Sequence, residues 1–186
     1  MTNEFGFGHY DVSANGTLVY LRQSSATRTI EWLGGGDASR PLLAEPGRYT
    51  WPRLSPDGLQ LAYTLLEGSD SDIWIYDLET HAKRRMTVGG GDQGMAVWTA
   101  DGRHLLYQEN AEPALYSRRS DGTGEAHRLL PGINVPWSLT PDGRRLAYHS
   151  MATATGFDLL TVPLEIGADG EPVAEAPPIL PRVRQS

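Results

Sequence analysis

The sequence predicts an all-β fold: a β-propeller of four blades, each of four antiparallel strands, forming either half of an eight-bladed ring or a small closed propeller. Three observations lead there. A turn motif recurs at Ser13-Ala14-Asn15-Gly16, Ser55-Pro56-Asp57-Gly58, Thr99-Ala100-Asp101-Gly102 and Thr140-Pro141-Asp142-Gly143, with the glycines 42, 44 and 41 residues apart. That period suits one four-stranded blade. After each glycine comes a short apolar segment ending in tyrosine: Leu18-Val19-Tyr20, Leu61-Ala62-Tyr63, Leu105-Leu106-Tyr107 and Leu146-Ala147-Tyr148. Finally, 21 Gly and 13 Pro in 186 residues supply the corners that many short strands need, and no helical periodicity competes.

The motif is a turn for chemical reasons. Proline presets φ at the first corner, Asp or Asn hydrogen-bonds to the backbone two residues on, and glycine takes the positive φ that other residues resist. Each turn therefore joins two antiparallel strands. A third strand follows at Thr29–Leu33, Asp72–Tyr76, Ala114–Ser117 and Asp158–Val162, and a reversal leads to a fourth at Arg40–Leu43, Arg84–Thr87, His127–Leu130 and Pro178–Pro181. The blades fall at about 8–43, 51–87, 95–130 and 135–181 of a single domain. A β-sandwich also spaces strands evenly, but it has no reason to repeat one turn at a fixed place in each period.

These residues resemble the TolB-like propeller repeat. Ser-Pro-Asp-Gly, Leu-Ala-Tyr, Asp-Ile-Trp-Ile-Tyr-Asp-Leu and Arg-Arg-Met-Thr carry the likeness between positions 53 and 87, and positions 8–43 and 94–164 are similar. Within that family, the stretch Tyr10–Tyr20 and the last-blade segment Thr153–Leu159 are most similar to the propeller region of bacterial serine/threonine protein kinases. No kinase glycine-rich loop, catalytic loop or metal-binding aspartate motif accompanies them, so the resemblance implies no phosphotransfer. Similar propellers also cap prolyl oligopeptidase-like peptidases, whose catalytic residues lie in a separate α/β-hydrolase domain.

Composition narrows the partners. The net charge is −7, and the 16 basic residues, Lys83 and fifteen arginines, are scattered as singles and pairs such as Arg84-Arg85 and Arg144-Arg145. Nucleic acid is not expected, because phosphate binding needs a concentrated basic footprint. With no cysteine, disulfides and thiolate chemistry are excluded. No apolar run approaches the roughly 20 residues of a membrane helix, and no secretory leader opens the sequence. The expected place is the cytoplasm as the sequence stands, or outside it for a piece of a larger membrane or secreted protein.

Catalytic and metal motifs fare poorly. Gly89-Gly90-Gly91-Asp92-Gln93-Gly94 matches a dinucleotide fingerprint in letters, but it precedes the strand-like Met95-Ala96-Val97-Trp98 where that fingerprint requires a helix. The histidines 9, 81, 104, 127 and 149 show no ligand spacing. Gly68-Ser69-Asp70-Ser71-Asp72 is a polar turn lacking calcium-loop spacing, and no Gly-x-Ser-x-Gly occurs. The recurring Trp51, Trp74, Trp98 and Trp137 suit packing between blades. No enzyme activity, cofactor or metal is expected.

The sequence thus points to a non-catalytic scaffold or sensor module with a protein or peptide partner. The alternative is an accessory piece of a kinase or prolyl oligopeptidase-like enzyme. Segments entering each innermost strand should gather at one mouth of the axial channel, which makes Tyr49, Trp51, Arg53, Gln93, Met95, Asn134 and Trp137 the candidate contacts. A four-blade arc would leave a face open at each end, so a homodimer completing an eight-bladed ring is expected, with a closed four-bladed monomer as its competitor.

Overall fold

The computed structural model describes residues 10–12, 18–24, 27–33, 39–88, 91–152 and 156–174. Every regular element in them is a strand, and the strands form four antiparallel four-stranded sheets, each ordered as in the chain. The first blade holds β1 (Tyr10–Val12), β2 (Leu18–Ser24), β3 (Thr27–Leu33) and β4 (Ser39–Gly47). The second holds β5 (Tyr49–Leu54), β6 (Gln60–Glu67), β7 (Asp70–Asp77) and β8 (Lys83–Arg85). The third holds β9 (Gln93–Trp98), β10 (His104–Glu109), β11 (Ala114–Arg119) and β12 (His127–Pro131). The fourth holds β13 (Asn134–Leu139), β14 (Arg145–Ala152), β15 (Gly156–Ile166) and β16 (Pro172–Ala174).

The outer position of the fourth blade is filled by Pro172–Ala174, immediately after the Gly167–Gly170 turn; the expected Pro178–Pro181 lie outside the described residues. The turn is short enough for pairing to resume at once: Gly167 and Glu171 bond through their backbones at 2.8 Å, so Ile166 lies opposite Pro172.

The repeated turn is built the same way in its three described copies; the first, Ser13–Gly16, lies outside the described residues. In the second blade Ser55 Oγ donates to Asp57 Oδ1 at 2.5 Å, Asp57 Oδ1 accepts Leu59 N at 3.0 Å, and Ser55 Oγ accepts Gln60 N at 2.9 Å. Thr99 with Asp101 and Thr140 with Asp142 repeat the pattern. The motif glycines have φ of 73°, 70° and 71° at Gly58, Gly102 and Gly143, in the left-handed region that side chains resist. Hydroxyl and carboxylate together satisfy backbone donors that the corner would otherwise leave bare.

Side-chain alternation turns the repeated tripeptide into a packing rule. Leucine and tyrosine face the preceding blade, and the residue between them faces the next. Leu61 and Tyr63 join Val19, Leu21 and Ile30 between blades one and two. Ala62, Ile73 and Ile75 meet Leu105 and Tyr107 between blades two and three. Leu106 and Leu115 meet Leu146, Tyr148 and Val162 between blades three and four. The core is therefore three slabs, each shared by two consecutive blades. No comparable packing joins the fourth blade to the first among the described residues.

Candidate functional site

The four innermost strands β1, β5, β9 and β13 surround a cleft of about 560 Å³ lined by residues of all four, including Tyr10, Asp11, Trp51, Arg53, Trp98 and Trp137. Its shape depends on a bulge that recurs at one place in the inner strands. Thr50 lies opposite Thr64 but Arg53 opposite Ala62, so one extra residue is inserted around Trp51-Pro52. The same happens at Met95-Ala96 and at Trp137. A bulge bends the strand and re-aims a side chain. Trp51 and Met95 accordingly adopt φ of 53° and 57°, a conformation costing a bulky residue on the order of 1 to 3 kcal/mol.

The re-aimed rings meet near the axis. Trp51 and Trp137 pack edge to face with centroids 5.5 Å apart, joining the second blade to the fourth. Trp137 also packs against His149 at 5.3 Å, and His149 lies 6.3 Å from Phe157. Trp51 lines both the main cleft and a second hollow of about 270 Å³ on the entry side, which it shares with Gln93, Met95 and Gln108. Trp51 thus stands between two openings.

Polar groups hold this lining in place. Asp11 Oδ2 accepts the Leu54 amide at 2.7 Å, tying β1 to β5. Burial pushes the Asp11 carboxyl above the usual carboxylate range, against the opposing pull of the Leu54 amide and the Arg53 charge. Arg53 donates to the carbonyls of Pro52 at 3.2 Å and Tyr10 at 3.4 Å, and its own carbonyl accepts Trp98 Nε1 at 3.0 Å. Among the described residues the outcome is an aromatic-walled cleft carrying one guanidinium, of Arg53, and one carboxylate, of Asp11.

The seven candidate contacts divide into three groups. Trp51, Arg53 and Trp137 line the main cleft. Met95 and Gln93 line the entry-side hollow, where Gln93 Nε2 also donates to Glu109 Oε2 at 2.5 Å. Tyr49 and Asn134 are buried and line neither opening. Tyr49 packs edge to face on Tyr63 at 5.5 Å and donates its hydroxyl to the Glu45 carbonyl at 3.0 Å. Asn134 closes the turn before β13 through the carbonyls of Pro131 and Gly132, and its own amide donates to Gln108 Oε1. The main cleft lies towards the exit ends of the inner strands, where Leu54, Trp98 and Leu139 contribute, and the smaller hollow lies towards the entry segments that hold the expected contacts. Asp11 and Trp98 complete the main cleft without having been candidates. Trp98 carried a signal, recurring with Trp51 and Trp137, whereas Asp11 carried none.

Other sequence features are absorbed by structure. Asp72, from the polar turn, pairs with Arg85 at 2.5 Å and accepts from Thr87 Oγ1 at 3.1 Å. Gly89 and Gly90 lie outside the described residues, and Gly91 leads into β9. Among the described residues no group of three or more histidine, aspartate or glutamate side chains is arranged to hold a metal, and no helix is long and apolar enough to cross a membrane.

The four sheets have the fold of a β-propeller, and the solved structures similar to it include TolB proteins. The chain resembles TolB of Acinetobacter baumannii with a TM-score of 0.68 and 19% identity over 90% of this chain and 43% of that one. A TolB-type protein of Agrobacterium tumefaciens gives 0.70 and 20% over 91% and 66%. A puromycin-hydrolyzing peptidase of Mycobacterium tuberculosis gives 0.63 and 18% over 91% and 31%. In sequence, 110 residues are 33% identical to the uncharacterized peptidase YuxL of Bacillus subtilis strain 168, covering 52% of this chain and 16% of that protein. No family model matches. The chain spans less than two thirds of the length of each of these relatives.

Proposed function

We propose that the chain is a non-catalytic TolB-like propeller module that binds a protein or peptide segment in its axial cleft. The observation carrying this reading is the convergence of Trp51, Trp98, Trp137 and Arg53 from three inner strands on one cleft. Tryptophan and arginine are enriched among the hot spots of protein interfaces, and a concave wall that mixes aromatic rings with fixed polar groups suits an extended segment. The non-catalytic part rests on the sequence, which holds neither Gly-x-Ser-x-Gly nor a kinase motif; of the described histidines, His81 Nδ1 lies 2.9 Å from the Tyr76 hydroxyl, His104 and His127 lie 3.2 Å and 3.9 Å from Glu171, and His149 packs on Trp137.

Panning a random peptide display library on the full chain tests the reading. Enriched peptides should lose at least about tenfold in affinity to Trp137→Ala, the scale of one interface hot spot, while far-UV circular dichroism stays unchanged. Failure to enrich any peptide, or peptides indifferent to Trp137 and Arg53, would count against it. Turnover of ATP or of peptidyl p-nitroanilides by the clean chain, abolished by one of its own mutations, would overturn the non-catalytic part.

A second reading has a specific observation behind it. The 33% identity to a peptidase-named protein, of which this chain covers 16%, favours an accessory propeller within a larger enzyme. A kinase-linked propeller is another form of that attachment, resting on the Tyr10–Tyr20 and Thr153–Leu159 resemblance alone. The full reading frame separates these arrangements.

A further inference from the structure

The two end blades expose the faces that the inner blades bury. On the first blade Tyr10 lies opposite Tyr20, and Val12 and Leu33 lie opposite Leu18, all on the face turned away from the second blade. Tyr10 is 55% exposed, Val12 50% and Leu33 41%. On the fourth blade Met151 lies opposite Phe157, His149 opposite Leu159, and Glu165 opposite Val173, on the face turned away from the third blade. Phe157 is 57% exposed and Leu159 67%. Large apolar side chains grouped this way on two sheet faces mark interaction surfaces.

We infer that the occupant of each face is the opposite end of a second copy of this chain. Three junctions within the molecule already show what such faces bind. In each, the residue between leucine and tyrosine, with its strand neighbours, covers the Leu-x-Tyr face of the following blade. The open face of blade four is of the covering kind, with Leu159 in the place of Ile73 and Thr161 in that of Ile75. The open face of blade one is of the covered kind, displaying Leu18 and Tyr20. The ends are thus complementary to each other, and each has the wrong polarity to pair with itself.

Size supports the same occupant. Four strands about 4.8 Å apart and about six residues long give a blade footprint on the order of 400 Å². Two reciprocal junctions bring each protomer to about 800 Å², the scale of a stable interface. Blade four of each protomer on blade one of its partner closes an eight-bladed ring with twofold symmetry and leaves neither end bare.

Light scattering coupled to size exclusion, run on the full chain at tens of micromolar, tests the inference. The expected mass is twice the 20.4 kDa of one chain. Leu159→Asp and Tyr10→Asp should each give monomers with unchanged far-UV circular dichroism, and mixing them should restore dimers, because one junction of the mixed pair is wholly native. A wild-type monomer would overturn the inference, with the faces left bare or covered within the chain or by flanking blades of a longer protein. So would a series of open-ended oligomers, or a dimer indifferent to both substitutions.

Discussion

The second and third blades differ from the first and fourth in one respect that organises the molecule: both faces of the inner pair are covered, whereas each outer blade has one face against a neighbour and one open. The same repeated residues lie in both settings. Leu61 and Leu105, buried at 0% and 1% exposure, belong to junctions, while Leu18 holds the corresponding place on an uncovered face and is only half-buried. A propeller repeat is therefore a unit of junction as much as a unit of sheet. Its stability comes from the slabs between blades, as in other repeat architectures where each unit contacts only its neighbours.

The largest expected effect follows from that contrast. Leu106 is fully buried between blades three and four, and Leu106→Ala should cost about 2 to 5 kcal/mol, the range for removing a large side chain from a packed core. Leu159→Ala, measured at a concentration low enough to keep the chain monomeric, should change stability by no more than about 0.5 kcal/mol. Urea unfolding of the two variants checks the pair. Equal losses would mean that the fourth blade's outer face is covered, and the distinction between inner and outer blades would fail.

The turns offer a finer version of the comparison. Gly143 has φ of 71°, and a Cβ placed on it would stand 2.9 Å from the Ala100 side chain in the turn of the preceding blade. Gly170, at φ of 84° in the hairpin between β15 and β16, has open space around it. Both substitutions to alanine incur backbone strain, but only Gly143→Ala adds a collision across a junction. We expect Gly143→Ala to cost about 1 to 3 kcal/mol and Gly170→Ala about 1 kcal/mol or less. Melting temperatures of the two variants in one buffer give the order, and a larger loss at Gly170 would refute the stacking of turns from blade to blade.

How much of this was legible beforehand depended on whether the determining chemistry was local. The Ser-Pro-Asp-Gly turns could be read because hydroxyl, carboxylate and glycine act within five residues, and Leu-x-Tyr revealed the strands because period-two alternation is local too. The bulges could not be read. Nothing about Met95 announces a positive φ, and that conformation follows from the mismatch between β9 and β10. Tyr49 and Asn134 open their inner strands ahead of the bulges, and their burial depends on partners that position alone does not reveal: Tyr63 for one, the carbonyls of Pro131 and Gly132 for the other. Asp11 was invisible for a different reason: its partner, the Leu54 amide, lies 43 residues away. The pairing of Pro172–Ala174 was not legible either, because it depends on the Gly167–Gly170 turn closing through the backbones of Gly167 and Glu171, which composition does not announce.

The smallest expected effect separates the two kinds of carboxylate along the same line between covered and open. Asp142 lies exposed in its turn, and the Thr140 hydroxyl, followed by the Arg144 amide, holds its carboxyl below the usual range. A folded-state value below the unfolded one means that the stabilisation is complete above the ordinary carboxylate value of 3.8 and is lost as pH falls through the depressed value. Asp11, within the junction of blades one and two, is shifted the other way by burial, so its contribution favours folding at low pH and declines as pH rises through the raised value. Asp142→Asn should therefore lower the melting temperature at pH 7 and converge with the wild type towards pH 3. Asp11→Asn keeps an oxygen to accept the Leu54 amide while removing a buried charge, and should melt at or slightly above the wild type at pH 7, with the difference vanishing in acid. Melting curves of both variants between pH 3 and 7 decide it: if both differences had the same sign at pH 7, the Asp11 carboxylate would be stabilising the β1–β5 junction through its charge, and burial would not be what sets its ionisation.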